Sequence, residues 1–401
     1  MARTFTRRDT LALLGTVGLS GCTMLDEEQT PSFEDGPAEW SGDSPSIPDD
    51  AWPMAKRTPG ATAATPASGP TDFPLEQVWT ISVSDNLHRP TVRNGTVFLS
   101  STADERNVVA VDATDGTELW HIDSEENCRS APTVAGGTLF ASFDPYDDDG
   151  RTGMAAYNVA DGNERWHYDI EYPDGTIVIT DSEVLTTGSD ARVIALDQES
   201  GRLIWEYKPG DPSYEVAELA VTDKVYFATG GSETDYPDVG HVYAFDPTAG
   251  ERVWSFELTT PATGIAVAEE TVIATTQVAV VALDADTGSE QWRHELNMVY
   301  DQSIAVRDDC VVVSTGGSLA AYAIDGGRRR WLNRRVSGVA IGDDVVYAVS
   351  DPEENPGVGA YDIQTGEELW FTQDAPELGA PTIAGGRLYT GTQDGRLIAW
   401  E

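Results

Sequence analysis

The sequence predicts an all-β chain folded as an eight-bladed β-propeller of four-stranded antiparallel blades. Three observations carry that prediction. A unit with Ala-x-Asp at its head, glycine four residues past the Asp and tryptophan four further on recurs seven times, with variations. Its tryptophans, with Trp79 leading them, step by 41, 46, 39, 49, 38, 39 and 39 residues. A second hairpin of short apolar runs precedes each unit, which makes two hairpins per repeat.

The chain opens on Arg3 and the pair Arg7-Arg8, then an apolar run from Leu11 to Leu19 and the tetrapeptide Leu19-Ser20-Gly21-Cys22. The run is far shorter than the ~20 residues of a membrane-spanning helix, so it reads as an export signal over 1–21. Thr6-Arg7-Arg8-Asp9-Thr10-Leu11 resembles a twin-arginine motif, and Leu19-Ser20-Gly21-Cys22 resembles a lipobox whose Cys22 carries lipid and becomes the mature N-terminus. Residues 22–74 are rich in Pro, Gly, Ser, Thr, Asp and Glu and lack sustained periodicity, so they read as a disordered tether. At about 5–6 Å × √n, such a tether holds the domain at 75–401 roughly 40 Å from a membrane. Trp40 and Trp52 fit poorly in a solvated linker.

Charge is the strongest compositional signal. The chain has 68 acidic and 25 basic residues, a formal net charge of -43, and only three lysines, Lys56, Lys208 and Lys224. A nucleic-acid partner needs a basic footprint that this chain lacks. Dispersed acidity with scarce lysine resembles a secreted protein of a halophile, of the archaeal kind, whose self-repulsion salt would screen. With Cys22 assigned to lipid, Cys128 and Cys310 remain. They fall in the second and sixth repeats, on opposite sides of an eight-bladed ring, so they are expected as free thiols.

The repeat tryptophans are Trp79, Trp120, Trp166, Trp205, Trp254, Trp292, Trp331 and Trp370. In the unit Ala282-Leu283-Asp284-Ala285-Asp286-Thr287-Gly288-Ser289-Glu290-Gln291-Trp292, the Asp carboxylate can accept turn N–H groups and the glycine supplies a positive φ. The tryptophan offers an apolar face that a lone hairpin cannot bury, so it implies a neighbouring blade. In the sixth repeat Ala323 replaces the Asp. The last repeat stops at Ile398-Ala399-Trp400-Glu401 without its Trp-bearing outer strand, and residues 76–83 at the other end of the domain supply one. The two ends then close one blade together.

This repeat resembles that of the pyrroloquinoline-quinone (PQQ)-type eight-bladed propellers. The family includes quinoprotein alcohol dehydrogenases and the BamB-type lipoprotein of bacterial outer-membrane assembly. The resemblance spans about 76–401 and implies that the repeat tryptophans pack between blades, which is a structural role. The dehydrogenases add long insertions, an adjacent-cysteine disulfide and a calcium held by Glu, Asn and Asp. No Cys-Cys pair occurs in this chain, and its five histidines lie at no metal-ligand spacing. The residues thus support no catalytic site, no metal and no cofactor, neither PQQ nor calcium. His121 and His167 follow blade tryptophans and read as outer-strand surface residues.

Binding residues are expected on the face that carries the loops between second and third strands, enlarged at 143–153, 230–241 and 351–358. Arg328, Arg329, Arg330, Arg334 and Arg335 surround Trp331 and form either a docking stripe for an acidic partner or a neutralised patch. Asn94-Gly95-Thr96 is a glycosylation sequon, and Asn-Gly is equally a hairpin-turn signal. The expected function is a membrane-tethered, extracytoplasmic platform that binds unidentified protein partners without catalysis. A quinone-binding redox protein and a structural cell-surface component are the alternatives.

Overall fold

The computed structural model describes residues 32–33, 47–48, 51–58, 60–71 and 74–401, except 84–85, 103–105, 125, 146–149, 174, 190, 210–213, 232–238, 297–301, 316–317, 335, 351–355, 373–378 and 393. Arg7, Arg8, Cys22, Trp40 and Arg335 lie outside the described residues. Eight antiparallel sheets follow one another along the chain: blade 1 at 91–122, blade 2 at 126–169, blade 3 at 177–207 and blade 4 at 214–258. Blade 5 spans 262–295, blade 6 302–334 and blade 7 336–372; blade 8 joins 382–400 to the strand Gln77–Ser82. That strand runs antiparallel to Arg396–Trp400, with Trp79 opposite Ala399.

Within a blade the pattern of burial follows the sequence. Second strands such as Thr271–Thr276 are buried at every residue, because both of their faces meet neighbouring blades. They are correspondingly rich in β-branched and apolar side chains. Outer strands such as Glu290–Glu295 bury their tryptophan and expose much of the rest. The hydrophobic clusters accordingly sit between blades; one joins Phe98 and Val108 of blade 1 to Leu139 and Tyr157 of blade 2.

The joint between blades is built from the repeat unit. In blade 5, Asp284 Oδ1 accepts the N–H of Thr287 at 2.8 Å and Gly288 turns the chain at φ +69°. The indole of Trp254 in blade 4 lies on that glycine, where an added Cβ would stand 2.6 Å from Cδ2. Trp254 Nε1 then donates to the carbonyl of Ala285 at 2.9 Å. The same bond runs from Trp79 to Ala113, Trp120 to Val159, Trp166 to Gln198, Trp292 to Ile324 and Trp331 to Ile363. Each acceptor directly follows the repeat's Asp position, so the turn of one blade holds the tryptophan of the blade before it. Blade 6 has Ala323 at the Asp position, and Gly326 and Gly327 both take positive φ there.

Every outer strand carries an extra residue just before its tryptophan. Ala110 faces Trp120 while Val111 faces Glu118, which skips Leu119; in blade 8 the pairing likewise skips Val78. Such a bulge leaves the extra residue unpaired and re-aims its side chain, which points to solvent in four of the blades. This explains the exposed aliphatics Val78, Leu119, Val253 and Leu369, four of the six exposed large hydrophobics among the described residues.

The tether reading of 22–74 fails for its second half. Within residues 51–71, the described stretches 51–58 and 60–65 run along the inner side of the ring and bond to the innermost strands of blades 1, 2, 5, 6 and 7. Trp52 exchanges backbone bonds with Val92 of blade 1, and Val134 of blade 2 donates to Pro53. Val267 of blade 5 donates to Gly60, Val306 of blade 6 to Thr62, and Ile341 of blade 7 to Ala63. Ala64–Thr65 pairs in parallel with blade 7 as a fifth strand. Composition pointed the wrong way because this segment is held mainly through its backbone. Its side chains are small where the fit is tight: Ala61, Ala63 and Ala64 are buried, and a Cβ on Gly60 would stand 2.6 Å from the Val267 carbonyl oxygen. Arg57, Ala61 and Ala63 take positive φ, a cost of roughly 1–2 kcal/mol each that the bonds to the blades offset. Ahead of this segment, Ser32–Phe33 pairs antiparallel with Glu206 and Trp205 on the outer edge of blade 3.

Cys128 and Cys310 are free and buried. Burial pushes both thiols up to about 11.

Candidate functional site

The inner-strand residues that bond to 51–71 sit near the hairpin turns of their blades, so the segment closes the channel at its hairpin end. Trp52, fully buried, is central to this closure. The Arg89 guanidinium stacks 4.5 Å from the centroid of its ring. Arg89 also donates to the carbonyls of Pro381 and Val339, which ties blades 7 and 8 to the plug. Arg57 holds the plug's own backbone, donating to the carbonyls of Ala51, Ala64 and Pro48 at 3.1, 3.2 and 3.3 Å. From blade 6, Arg307 donates to Thr65, and from blade 7 the Tyr347 hydroxyl donates to Pro70 at 3.1 Å.

Carboxylates face these cations: Arg307 lies 3.6 Å from Asp308 and 3.7 Å from Asp343. Glu218, on the innermost strand of blade 4, meets Lys56 of the plug at 3.6 Å. It follows Ala217, the residue that the blade's register skips. Burial raises the Glu218 carboxyl, with Lys56 and Arg89 opposing. Burial likewise pushes the Arg89 guanidinium down to about 9, against the pull of Glu218. Arg89 keeps its charge at neutral pH. The floor of the channel is therefore a closed network of Lys56, Glu218 and Arg89 over Trp52, suited to locking the plug in place.

A divalent cation would need several acidic or imidazole donors converging on one point. Among the described residues no three His, Cys, Asp or Glu side chains do so. Glu218 is already engaged by cations, so the channel floor does not fit such an ion.

On the opposite face, the stems of the enlarged loops are described and their tips at 146–149, 232–238 and 351–355 are not. The first stem is pinned by Arg151, which clasps both carboxylate oxygens of Glu164 at 3.0 and 3.1 Å. Arg129 pairs with Asp144 at 2.9 Å on the same blade. On the hairpin face, Arg93 and Arg165 enter a groove of about 550 Å³ between blades 1 and 3. There Arg165 meets the Thr138 hydroxyl, and Arg93 donates to the Val134 carbonyl at 3.4 Å.

The arginine cluster divides. Arg328 and Arg329 are exposed on blade 6. Arg330 turns inward to Asp309 and donates to Gln364 of blade 7 at 2.9 Å, so it works as a blade clamp. Arg334 ends the outer strand, and its side chain is outside the description. Asn94 and Gly95 form an exposed turn with φ of 51° and 73°. His121 is exposed beside Glu118 at 2.7 Å, while His167 is mostly covered and lies 3.0 Å from Asp169.

Sequence reasoning missed Lys56, Arg57, Arg89 and Glu218. Two signals bore on them: Lys56 is one of only three lysines, and Trp52 and Met54 are large apolar residues in an otherwise polar stretch. Neither says which blade they meet.

A family model described as outer membrane protein assembly factor BamB matches residues 75–230, 238–340 and 333–401. The outer membrane protein assembly factor BamB of Bordetella pertussis is 24% identical over 305 residues, 67% of this chain and 74% of that protein. The crystal structure of BamB from Moraxella catarrhalis superposes with a TM-score of 0.63 at 17% identity, covering 82% of this chain and 97% of that one. A quinohemoprotein alcohol dehydrogenase of Pseudomonas putida is 26% identical over 155 residues, which is 34% of this chain and 21% of the enzyme.

Proposed function

The chain belongs to the family of the outer membrane protein assembly factor BamB, and from that membership we propose that it is a non-catalytic protein-binding platform held outside the cytoplasm by lipid on Cys22. The observation that carries this reading is the plug. Residues 51–71 take up the hairpin end of the channel and engage its charged side chains. The loop face, the hairpin face and the blade edges are left for partners, and partners bound there are proteins by analogy with the assembly role that the relatives' name states. The dispersed carboxylates of a chain with net charge -43 suit work in concentrated salt.

The segments shared with a quinohemoprotein dehydrogenase favour a second reading, a quinone-binding redox protein. One experiment separates the two. Cross-linking in native membranes at molar salt, followed by purification on this chain, should recover a defined protein partner in near-stoichiometric amount. Calcium with PQQ should give neither tight binding nor alcohol-dependent dye reduction. Stoichiometric PQQ binding with no protein partner would overturn the platform reading.

A further inference from the structure

We propose that the outer edge of blade 3 is the part of the propeller held nearest its membrane; this rests on the lipid anchor at Cys22. Two separate grips lead the chain out of the ring through one sector. Inside, Ile47 packs on the cluster formed by Met54 of the plug, Phe140 of blade 2, and Ile177 and Ile194 of blade 3. Outside, Ser32–Phe33 is a strand on the edge of blade 3, opposite Glu206 and Trp205.

Only ten residue steps separate Cys22 from Ser32. Even fully extended they reach at most about 35 Å. The edge of blade 7 lies across the ring, beyond two four-stranded blades and the channel, on the order of 40 Å further out. A lipid at Cys22 therefore holds the edge of blade 3 within that reach of the surface, while the edge of blade 7 is free to stand roughly 40 Å further away. With blade 3 nearest the surface, the outward aliphatics Leu369, Val78 and Leu119, on the consecutive blades 7, 8 and 1, lie on the side of the ring remote from the anchor. The leash is a short one, because Ser32–Phe33 already pairs with the edge of blade 3.

The test uses residues 23–401 with a hexahistidine tag in place of Cys22, recruited to vesicles that carry a nickel-chelating lipid in molar salt. Recruitment then does not depend on natural lipidation. Single cysteines replace Glu199 in blade 3 and Glu367 in blade 7, both exposed and both on the hairpin face. Each is labelled with a donor dye, and energy transfer to a lipid-borne acceptor is read; the native thiols are buried and do not compete. Transfer at least threefold stronger from Glu199→Cys than from Glu367→Cys is expected. Equal transfer, or stronger transfer from Glu367→Cys, overturns the orientation whatever the natural anchor is. Full-length Cys22→Ser protein that stays membrane-bound would instead overturn the anchor, and the vesicle contrast would still stand as a property of the leash.

Discussion

Replacing Gly288 with alanine tests the joint on which the ring depends. Gly288 has φ +69°, and an added Cβ would lie 2.6, 2.7 and 2.9 Å from three carbons of the Trp254 indole. Two costs follow, and a second glycine separates them. Gly136 also has positive φ, +56°, yet nothing lies within 4 Å of its would-be Cβ. Gly136→Ala should therefore cost only the left-handed backbone, roughly 1–2 kcal/mol. Gly288→Ala bears that cost and must also displace the indole. Overpacking adds about 1–3 kcal/mol. Weakening the Trp254–Ala285 hydrogen bond, 2.9 Å long, adds about 1 kcal/mol more. The gap between the two variants should be about 2–4 kcal/mol. Urea unfolding at fixed molar KCl, followed by tryptophan fluorescence, measures it. Equal destabilisation within about 0.5 kcal/mol would refute the claim that an indole seated on a glycine joins the blades.

Trp52→Ala should cost about 3–5 kcal/mol, as for a buried tryptophan, and expose residues 51–71 to limited proteolysis; a neutral substitution would return the segment to the status of a linker. Glu183 is buried with its carboxyl raised from 4.5 to about 7, by burial first and by Asp197 second. A raised carboxyl contributes stability that is full below its unfolded value and lost as pH rises through the folded one. Glu183→Gln should thus match the wild type below about pH 4.5 and exceed it by up to about 3 kcal/mol above pH 7. Parallel stability–pH curves for the two proteins would count against it. The melting temperature should rise steeply from dilute buffer to molar KCl, since screening relieves repulsion in a chain of net charge -43; a flat dependence would remove the case for a halophilic setting. Cys22→Ser should release the protein from membranes or leave an uncleaved precursor, which fractionation and mass measurement decide.

Much of the fold was legible before any coordinates, for a physical reason visible in the unit around Gly288. A propeller repeats one local problem: close a hairpin, then cover a large aromatic with the next copy. Asp284, Gly288 and Trp292 each solve a part of it within nine residues, so the solution is written at short range and recurs at a readable period. Trp79 and the truncated last repeat even indicated which strand shares a sheet with Arg396–Trp400. The bulge before each tryptophan was not legible, because an extra outer-strand residue such as Leu119 looks like any other residue of a strand.

The sequence by itself determined the number of blades, the partners of strands within each blade and the residues that join one blade to the next. Only the tertiary structure decided what fills the ring. Ala63 meets Ile341 and Pro70 meets Tyr347, contacts separated by more than 270 residues. They are made mostly by backbone groups, which every residue but proline carries in full, so no side-chain pattern announces them. Alanines and glycines that look like linker composition are what a backbone needs to lie close against the strands around it. Glu218 and Arg89 gain their meaning in the same way, from a segment that reaches them only when the ring has closed around it.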